Sequence, residues 1–336
     1  MMRRLVLLSP LLLVGGCASV QSTFNTQGPG AARIAPLMWA MIILFLAVSL
    51  VMWILIVIPV RRRGSLDEHE PVDIGGGQGW VALGGLLIPI LVLSGFFIAG
   101  LVVLESFPIH DPSKQTRFKP DILIIGHQWW WEVHYLDGPV NEHFVTANEI
   151  HIPAGQPVTL ELKSADVIHA FWVPSLHGKL DMIPGHPNFM RIEAYHPGDY
   201  AGECAEYCGV QHAHMRLLVV AQAPSAYKLW LRQMVRPAVQ PTTPEAIAGE
   251  HLFLSGPCAM CHTVRGTLAG GSVAPDLTHL ASRQFIGTNS LPNNTAYLEA
   301  WITNAQSLEP GVLMPDLTDF SGTQLRDLVA YLQQLK

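Results

Sequence analysis

Residues 204–215 read Cys204-Ala-Glu206-Tyr-Cys208-Gly-Val-Gln-His212-Ala-His214-Met215. Two thiols, two imidazoles and a thioether fall within twelve residues, all soft or borderline metal donors. Cys208-x3-His212-x2-Met215 carries three ligands of a blue-copper pattern. His169, in "SADVIHAFWV", supplies a second imidazole from another strand. Cys204 is then surplus. Two thiolates four residues apart on a curved loop can each bridge two copper ions. His169 and His212 give one imidazole to each ion, and Met215 and the Glu206 carbonyl give one weak ligand to each. A disulfide and structural zinc are the competing readings. The surrounding His and Met weigh against the first, and methionine is a poor zinc ligand. His214 competes with His212 and ranks below it, because five residues separate it from Cys208.

The flanking sequence builds a scaffold for such a loop. "DILIIGHQWWWEVHY" and "VTLELKSADVIHAFWV" are β-branched and aromatic runs bounded by turn formers such as Ala154-Gly155-Gln156-Pro157. "MRIEAYHPGDYAGECAEYC" adds another alternating run and a Pro-Gly-Asp turn. Short strands at this spacing, from Asp121 to about Ala221, predict an all-β sandwich or Greek-key barrel. "AVQPTTPEAI" then shifts to a Pro/Thr-rich linker, and Thr242 with Glu245 predicts a capping box opening a helix. At the end of the chain Ser321 and Gln324 predict another cap. Leu325, Leu328, Val329, Leu332 and Leu335 fall on one helical face.

That small α region contains Cys258-Ala-Met-Cys261-His262, the C-x-x-C-H spacing that attaches c-type haem by two thioethers with His262 as proximal ligand. A redox dithiol would call for a βαβ context, and zinc would need a second ligand pair. Met314, in "GVLMPDL", is the one methionine after the motif and the expected sixth ligand. Met/His ligation suits electron transfer and leaves no open iron position for oxygen.

Hydrophobic residues make up 49% of the 336-residue chain and charged ones only 14%, which points to membrane segments beside outer domains. A net charge of −6 gives no basic footprint for nucleic acid. Residues 36–60 and 80–104 are uncharged and long enough to cross a bilayer, which takes about 20 helical residues. Arg61-Arg62-Arg63 between them predicts a cytoplasmic turn, so everything after Glu105 faces outward. Arg3 and Arg4, a short apolar run and Val14-Gly-Gly-Cys17 resemble a bacterial lipoprotein signal. That resemblance implies cleavage before Cys17 and lipid on its thiol.

"GHQWWWEVHY", "SADVIHAFWVP" and "CAEYCGVQHAHM", in that order after a two-helix hairpin, are similar to subunit II of haem-copper cytochrome c oxidases. From Glu245 onward the chain resembles a class I cytochrome c, with Gly249-x3-Phe253 and Leu328-x2-Tyr331 as the crossing-helix contact and "APDLTH" around Pro275 as a haem-edge loop. The resemblance implies a cupredoxin-like domain and a binuclear CuA centre held by His169, Cys204, Glu206 (through its carbonyl), Cys208, His212 and Met215. It further implies that the Glu206 carboxylate binds a magnesium ion shared with subunit I, and that Trp129 is an electron-entry residue. The expected fold class is a multi-domain membrane protein with three parts: a two-helix transmembrane hairpin, a cupredoxin-like all-β Greek-key domain and an all-α class I cytochrome c domain. The expected divisions are a signal peptide at 1–16, an N-terminal segment and hairpin at 17–110, the copper domain at 111–223, a linker at 224–244 and the cytochrome domain at 245–336. The implied role is electron entry from a cytochrome c, soluble or membrane-bound, through haem c and CuA to subunit I, in a complex in the bacterial cytoplasmic membrane. The family's frequent Glu before the second helix is missing from "GGGQGW" at 75–80, and Glu70 lies further back, which leaves this subunit's part in proton uptake open. Nitrous oxide reductase would need a large propeller with no room here. A copper carrier would need no covalent haem, and a quinol oxidase subunit has no use for this ligand set.

Overall fold

Alternating burial along residues 122–135 starts the β domain. The structure, a computed structural model, describes residues 21–62, 77–107 and 119–336. The expectations for the signal peptide, Cys17, Arg63, Glu70 and Gly75 fall outside the described residues. Strands β1 (Ile122–His127) and β2 (Trp130–Tyr135) form an antiparallel hairpin, with Ile122, Ile124, Trp131, Val133 and Tyr135 turned inward. Eight more strands follow: β3 (Phe144–Ala147), β4 (Glu149–Pro153), β5 (Val158–Ser164), β6 (His169–Trp172), β7 (Leu180–Met182), β8 (Asn188–Ile192), β9 (Gly198–Cys204) and β10 (Arg216–Gln222). They make two five-stranded sheets, ordered β3-β2-β1-β5-β8 and β4-β10-β9-β6-β7. The parallel pairs β1/β5 and β4/β10 require connections that cross between sheets, the signature of a Greek key. The inner faces meet on Trp131, Phe171, Ile150, Leu160, Leu162 and Met182, all fully buried, so Trp131 belongs to strand packing.

Residues 21–31 lie on this domain, which the sequence did not announce. The Gln27 N–H donates to the Ser175 carbonyl, the Tyr195 N–H to the Gln27 carbonyl and the Ala31 N–H to the Leu176 carbonyl. The stretch 224–244, expected as a linker, is also partly structured. Residues Pro224–Met234 form helix α3, with Pro224 at its first turn. Trp230 of α3 stacks on His151 at 4.0 Å and meets Tyr135 edge-on at 5.1 Å. The Pro/Thr composition belongs only to the stretch after it.

The C-terminal region is α as predicted, with helices α4 (Pro244–Ser255), α5 (Thr295–Leu308) and α6 (Gly322–Leu332), a single helical turn at Cys258–Cys261 and a two-residue-strand hairpin, β11 (Phe285–Ile286) with β12 (Leu291–Pro292). A Cβ on Gly249 would lie 1.9 Å from the Asp327 carbonyl oxygen, so only glycine lets α4 cross α6 this closely. Phe253 and Tyr331 meet beside it at 5.6 Å. Both predicted signature positions of the crossing therefore touch. The α4 cap is Thr243 rather than Thr242. Its hydroxyl accepts from the Ala246 N–H, and Pro244 takes the first helical position, where a missing N–H costs nothing. Ser321 and Gln324 form the predicted capping box, and Leu328, Val329, Leu332 and Leu335 are buried.

A separate unit holds residues 32–109, of which 32–62 and 77–107 are described. Helix α1 (Pro29–Arg62) begins in the first unit and continues through this one. Helix α2 (Gln78–Glu105) pairs with it, and both are long and apolar enough to cross a membrane, with mean hydropathies of 3.2 and 2.7. The helices extend the predicted spans 36–60 and 80–104 by a turn or less at most ends and two turns at the start of α1. Pro89 lacks the N–H that would bond to the Gly85 carbonyl, and the turn before it, Leu83–Leu87, widens into π-helix. Small residues Ala40, Gly95 and Ala99 line the space between the helices, and Arg33 donates to the Ser106 carbonyl at 2.6 Å, so the run is antiparallel.

Candidate metal centres and their junction

Strand pairing assembles the sulfur and imidazole donors. Phe171 of β6 pairs with Cys204 of β9, which puts His169 of the same strand beside the Cys204 thiol. The chain then loops through residues 205–215 and returns as β10, so that the Cys204 N–H donates to the Met215 carbonyl at 2.9 Å. Six donors from two strands and one loop converge. His169 Nδ1 is 3.8 Å from Cys204 Sγ, and His212 Nδ1 is 3.7 Å from Cys208 Sγ. Met215 Sδ is 3.8 Å from Cys208 Sγ, and the Glu206 carbonyl oxygen is 3.2 Å from Cys204 Sγ. The two thiols are free and stand 3.7 Å apart, far beyond the roughly 2.05 Å of a disulfide bond. The arrangement is two matching halves: each thiol has one imidazole and one weak donor. His214 instead turns to the Gln211 side-chain oxygen at 3.0 Å, outside the cluster.

The surroundings favour deprotonated sulfur. The Cys208 thiol, hydrogen-bonded to Cys204, lowers the Cys204 pKa well below the ordinary thiol value, and Cys208 is pushed up in turn. One thiolate forms readily and the second needs a cation to displace its proton. Burial works against a charged His169, but the Asp166 carboxylate and Cys204 outweigh it and raise its pKa. Asp166 Oδ1 sits 2.8 Å from His169 Nε2, leaving Nδ1 to face the thiols. Asp166 also accepts the Gln128 N–H at 2.7 Å. Gln128 Nε2 and Trp129 Nε1 both donate to the Cys208 carbonyl, at 2.7 and 2.9 Å. Gly209, at φ +119°, is in the left-handed region, and a Cβ there would press to 2.8 Å from the Trp129 ring. The reading of the sequence missed Asp166 and Gln128 as supports. A carboxylate three residues before a ligand histidine was the available signal for the first. The Glu206 carboxylate meets Lys179 Nζ at 3.4 Å.

Cys258, Cys261, His262 and Met314 line one cavity, walled by Leu280, Ile286, Leu298 and Ile302. His262 Nδ1 lies 2.8 Å from the Pro275 carbonyl, which can only accept, so the proton is on Nδ1 and the Nε2 lone pair is free. Burial lowers the His262 pKa and keeps the ring neutral. A neutral, oriented imidazole, two thiols on one helical turn and a thioether across an apolar cavity fit a covalently attached haem.

The two sites adjoin. Gln128, Trp129 and Trp130 of the β domain line the same cavity as the four haem-type ligands. Trp129 is 8% exposed and reaches the Cys208 carbonyl on its other side. Asn148 Nδ2 donates to the Gly287 carbonyl at 2.8 Å, Gln211 Nε2 to Pro310 at 2.9 Å, and the Arg216 N–H to Thr288 at 2.9 Å. The Gln284 N–H donates to the Glu149 carboxylate and Arg283 to Thr146. The connecting stretch is held too, by Arg265 Nη2 on the Met234 carbonyl at 2.6 Å and the Ala238 N–H on the Arg265 carbonyl at 2.9 Å. Instead of swinging on a free tether, the C-terminal domain is packed on the copper-type loop.

Comparison with known proteins agrees with both modules. Residues 139–222 match the family model for the cytochrome c oxidase subunit II periplasmic domain, and residues 246–336 match that for cytochrome c. The chain is 34% identical over 330 residues to a cytochrome c oxidase subunit 2 of Alkalihalophilus pseudofirmus, covering 97% of this chain and 94% of the relative. A quinol oxidase subunit 2 of Bacillus cereus is 28% identical over 243 residues, 71% of this chain and 79% of the relative. A crystal structure of the periplasmic domain of subunit II of a Bradyrhizobium japonicum cytochrome oxidase is 29% identical, with a TM-score of 0.32, over 35% of this chain and 95% of that one. With its two membrane-length helices, the protein resides in the inner membrane with its outer domains on the periplasmic side. Matched in both outer modules and along nearly its whole length, the chain belongs to the subunit II family of terminal respiratory oxidases, with a cytochrome c domain fused to it, and serves electron transfer in that enzyme complex.

Proposed function

We propose that this chain is the electron-entry subunit of a cytochrome c oxidase, with a binuclear copper centre (CuA) held by His169, Cys204, the Glu206 carbonyl, Cys208, His212 and Met215. The observation that carries this reading is the matched pair of half-sites, one imidazole and one weak donor beside each thiol. A mononuclear site would leave Cys204 without a task. Haem c would be held covalently by Cys258 and Cys261, with His262 and Met314 offering its iron an imidazole and a thioether. When bound, these groups supply the levels through which electrons pass from a cytochrome c donor via haem c and CuA to the haem-copper subunit I, where oxygen is reduced and protons are pumped. The residues do the positioning: Asp166 orients His169, the Pro275 carbonyl orients His262, and Gln128 and Trp129 hold the Cys208 peptide.

Trp129 is read as the contact between the haem cavity and the copper loop. An external donor then meets the haem domain, where Met260, Val273 and Leu313 at the cavity are 71%, 64% and 83% exposed, rather than the covered Trp129. The Glu206 carboxylate is proposed to hold magnesium at the subunit I contact, displacing Lys179. A hard cation prefers that oxygen. Lipid on Cys17 and the domain limits 17–110, 111–223 and 245–336 complete the reading.

The quinol oxidase relatives raise the other possibility, and the full copper ligand set with a haem-attachment motif favours cytochrome c as donor. Metal analysis of the purified complex tests it: two coppers in this chain are expected, falling to one in Cys204→Ser with a change to a single-copper spectrum. One copper or zinc in the wild-type chain, or reduction by quinol and not by cytochrome c, would sink the reading.

A further inference from the structure

Glu309 is a buried carboxylate that neither metal site uses. It is 2% exposed, at the end of α5, five residues before Met314. Its Oε1 accepts the Thr288 N–H at 2.9 Å, the Thr288 hydroxyl at 2.9 Å and the Ser290 hydroxyl at 3.2 Å. A Cβ on Gly287 would lie 2.5 Å from that oxygen, so the glycine makes room for it. A buried carboxylate is costly, and an amide or apolar residue would fill the volume more cheaply.

What distinguishes the place is what each partner holds. The Thr288 carbonyl accepts the N–H of Arg216, the residue after Met215 in the copper loop. The Pro310 carbonyl, next to Glu309, accepts Gln211 Nε2 from the same loop. Gly311 then packs against Val210 and Trp129. Beyond it, Gln306 Nε2 donates to the Val312 and Met314 carbonyls at 2.6 and 2.7 Å, fixing the haem-methionine loop. Two segments of the cytochrome domain, 287–290 and 309–314, thus touch the copper loop, and Glu309 ties one to the other.

We propose that Glu309 is a positioning residue: it locks the haem-methionine loop against the copper loop, so that electrons cross between the two centres from one fixed geometry without a domain search. This rests on the haem c and CuA reading above. With a carboxylate at the junction, the two segments move as one body. Without it, 287–290 keeps two hydrogen bonds to the β domain, from Asn148 and Arg216, and 309–314 keeps one, from Gln211, and the two segments can part from each other.

The test uses the assembled oxidase with Glu309→Gln and Glu309→Leu. Haem and copper content are measured first, and a wild-type complex lacking either overturns the underlying reading rather than this one. Two measurements then read the lock: amide hydrogen exchange in 287–290 and 207–215, and the rate of electron equilibration from haem c to copper after photoreduction. In Glu309→Leu, exchange in both segments should rise and transfer should slow about ten-fold or more, and become dependent on solvent viscosity. Glu309→Gln, isosteric and still an acceptor, should recover most of both. Wild-type exchange and rate in Glu309→Leu would overturn the proposal. So would slowing that follows a lost methionine-ligation band and a lowered haem potential, because Glu309 would then act on the iron ligand and not on the junction.

Discussion

His169 and Met215 are fully buried and Cys204 and Cys208 are 4% and 2% exposed, whereas Cys258 and Cys261 are only partly buried beside a cavity. The copper-type site is closed by the protein itself. His169 and Cys204 sit on paired strands and the other donors on the loop between β9 and β10, and Asp166, Gln128 and Trp129 brace them from outside the cluster. The haem-type site is built the other way. Its ligands come from a helical turn and a distant loop, and the apolar side chains between them face a cavity rather than one another. A sheet can hold a metal geometry in advance because each strand is fixed by two neighbours. In the C-terminal domain the four candidate ligands and the apolar side chains around them line a shared cavity instead of a sheet.

Removing haem attachment should break this contrast most visibly. In Cys258→Ala with Cys261→Ala, covalent haem is lost completely, and residues 245–336 should lose cooperative unfolding while the β domain keeps its copper. Haem staining and domain-resolved hydrogen exchange make the check. A C-terminal domain that stays protected without haem would show that its helices need no filling.

A smaller effect is expected at the crossing of α4 and α6. Gly249→Ala puts a methyl group 1.9 Å from the Asp327 carbonyl oxygen, and should destabilise the cytochrome domain by about 1–3 kcal/mol. The copper domain should melt unchanged. Thermal unfolding followed separately by haem absorbance and copper absorbance distinguishes the two, and an equal drop in both would mean the domains unfold as one.

The smallest effect sharpens the comparison on the β side. Burial alone would raise the Glu132 pKa, but hydrogen bonds to His127 and His134 at 2.8 and 2.7 Å lower it from 4.5 to about 2. A depressed carboxylate contributes stability that is fully present above the unfolded value of 4.5 and is lost as pH falls toward about 2. Allowing for solvent screening of this partly exposed cluster, Glu132→Gln should cost about 1 kcal/mol above pH 5 and nothing below pH 2. Denaturant melts of the copper domain across that range measure it, and a loss independent of pH would assign the effect to packing.

The donor clusters were legible where they are dense and local: Cys204 to Met215 spans one loop and Cys258 to His262 one helical turn, whereas His169 and Met314 join them from far away in sequence. The capping box at Ser321, the apolar face of α6 and the two membrane spans were legible for the same reason, since period and end signals are properties of neighbouring residues. Helix α3 was hidden by the Pro/Thr composition beside it. Its start at Pro224 and its packing through Trp230 depend on Tyr135 and His151, far away in sequence.

By itself, then, the sequence determined which atoms are available for metal, the β, α and membrane classes of the segments that carry them, and the resemblance to an oxidase subunit. Tertiary structure set His212, which the sequence ranked above His214 by its spacing, 3.7 Å from the Cys208 thiol and turned His214 to Gln211. It alone put Trp129 between the cavity and Cys208 and Glu309 against Thr288 at the junction. Asp166 lies only three residues before His169 and left a local signal, but these two contacts join residues 79 and 21 positions apart, fixed by strand register and domain docking, and no local pattern of side chains encodes such a distance.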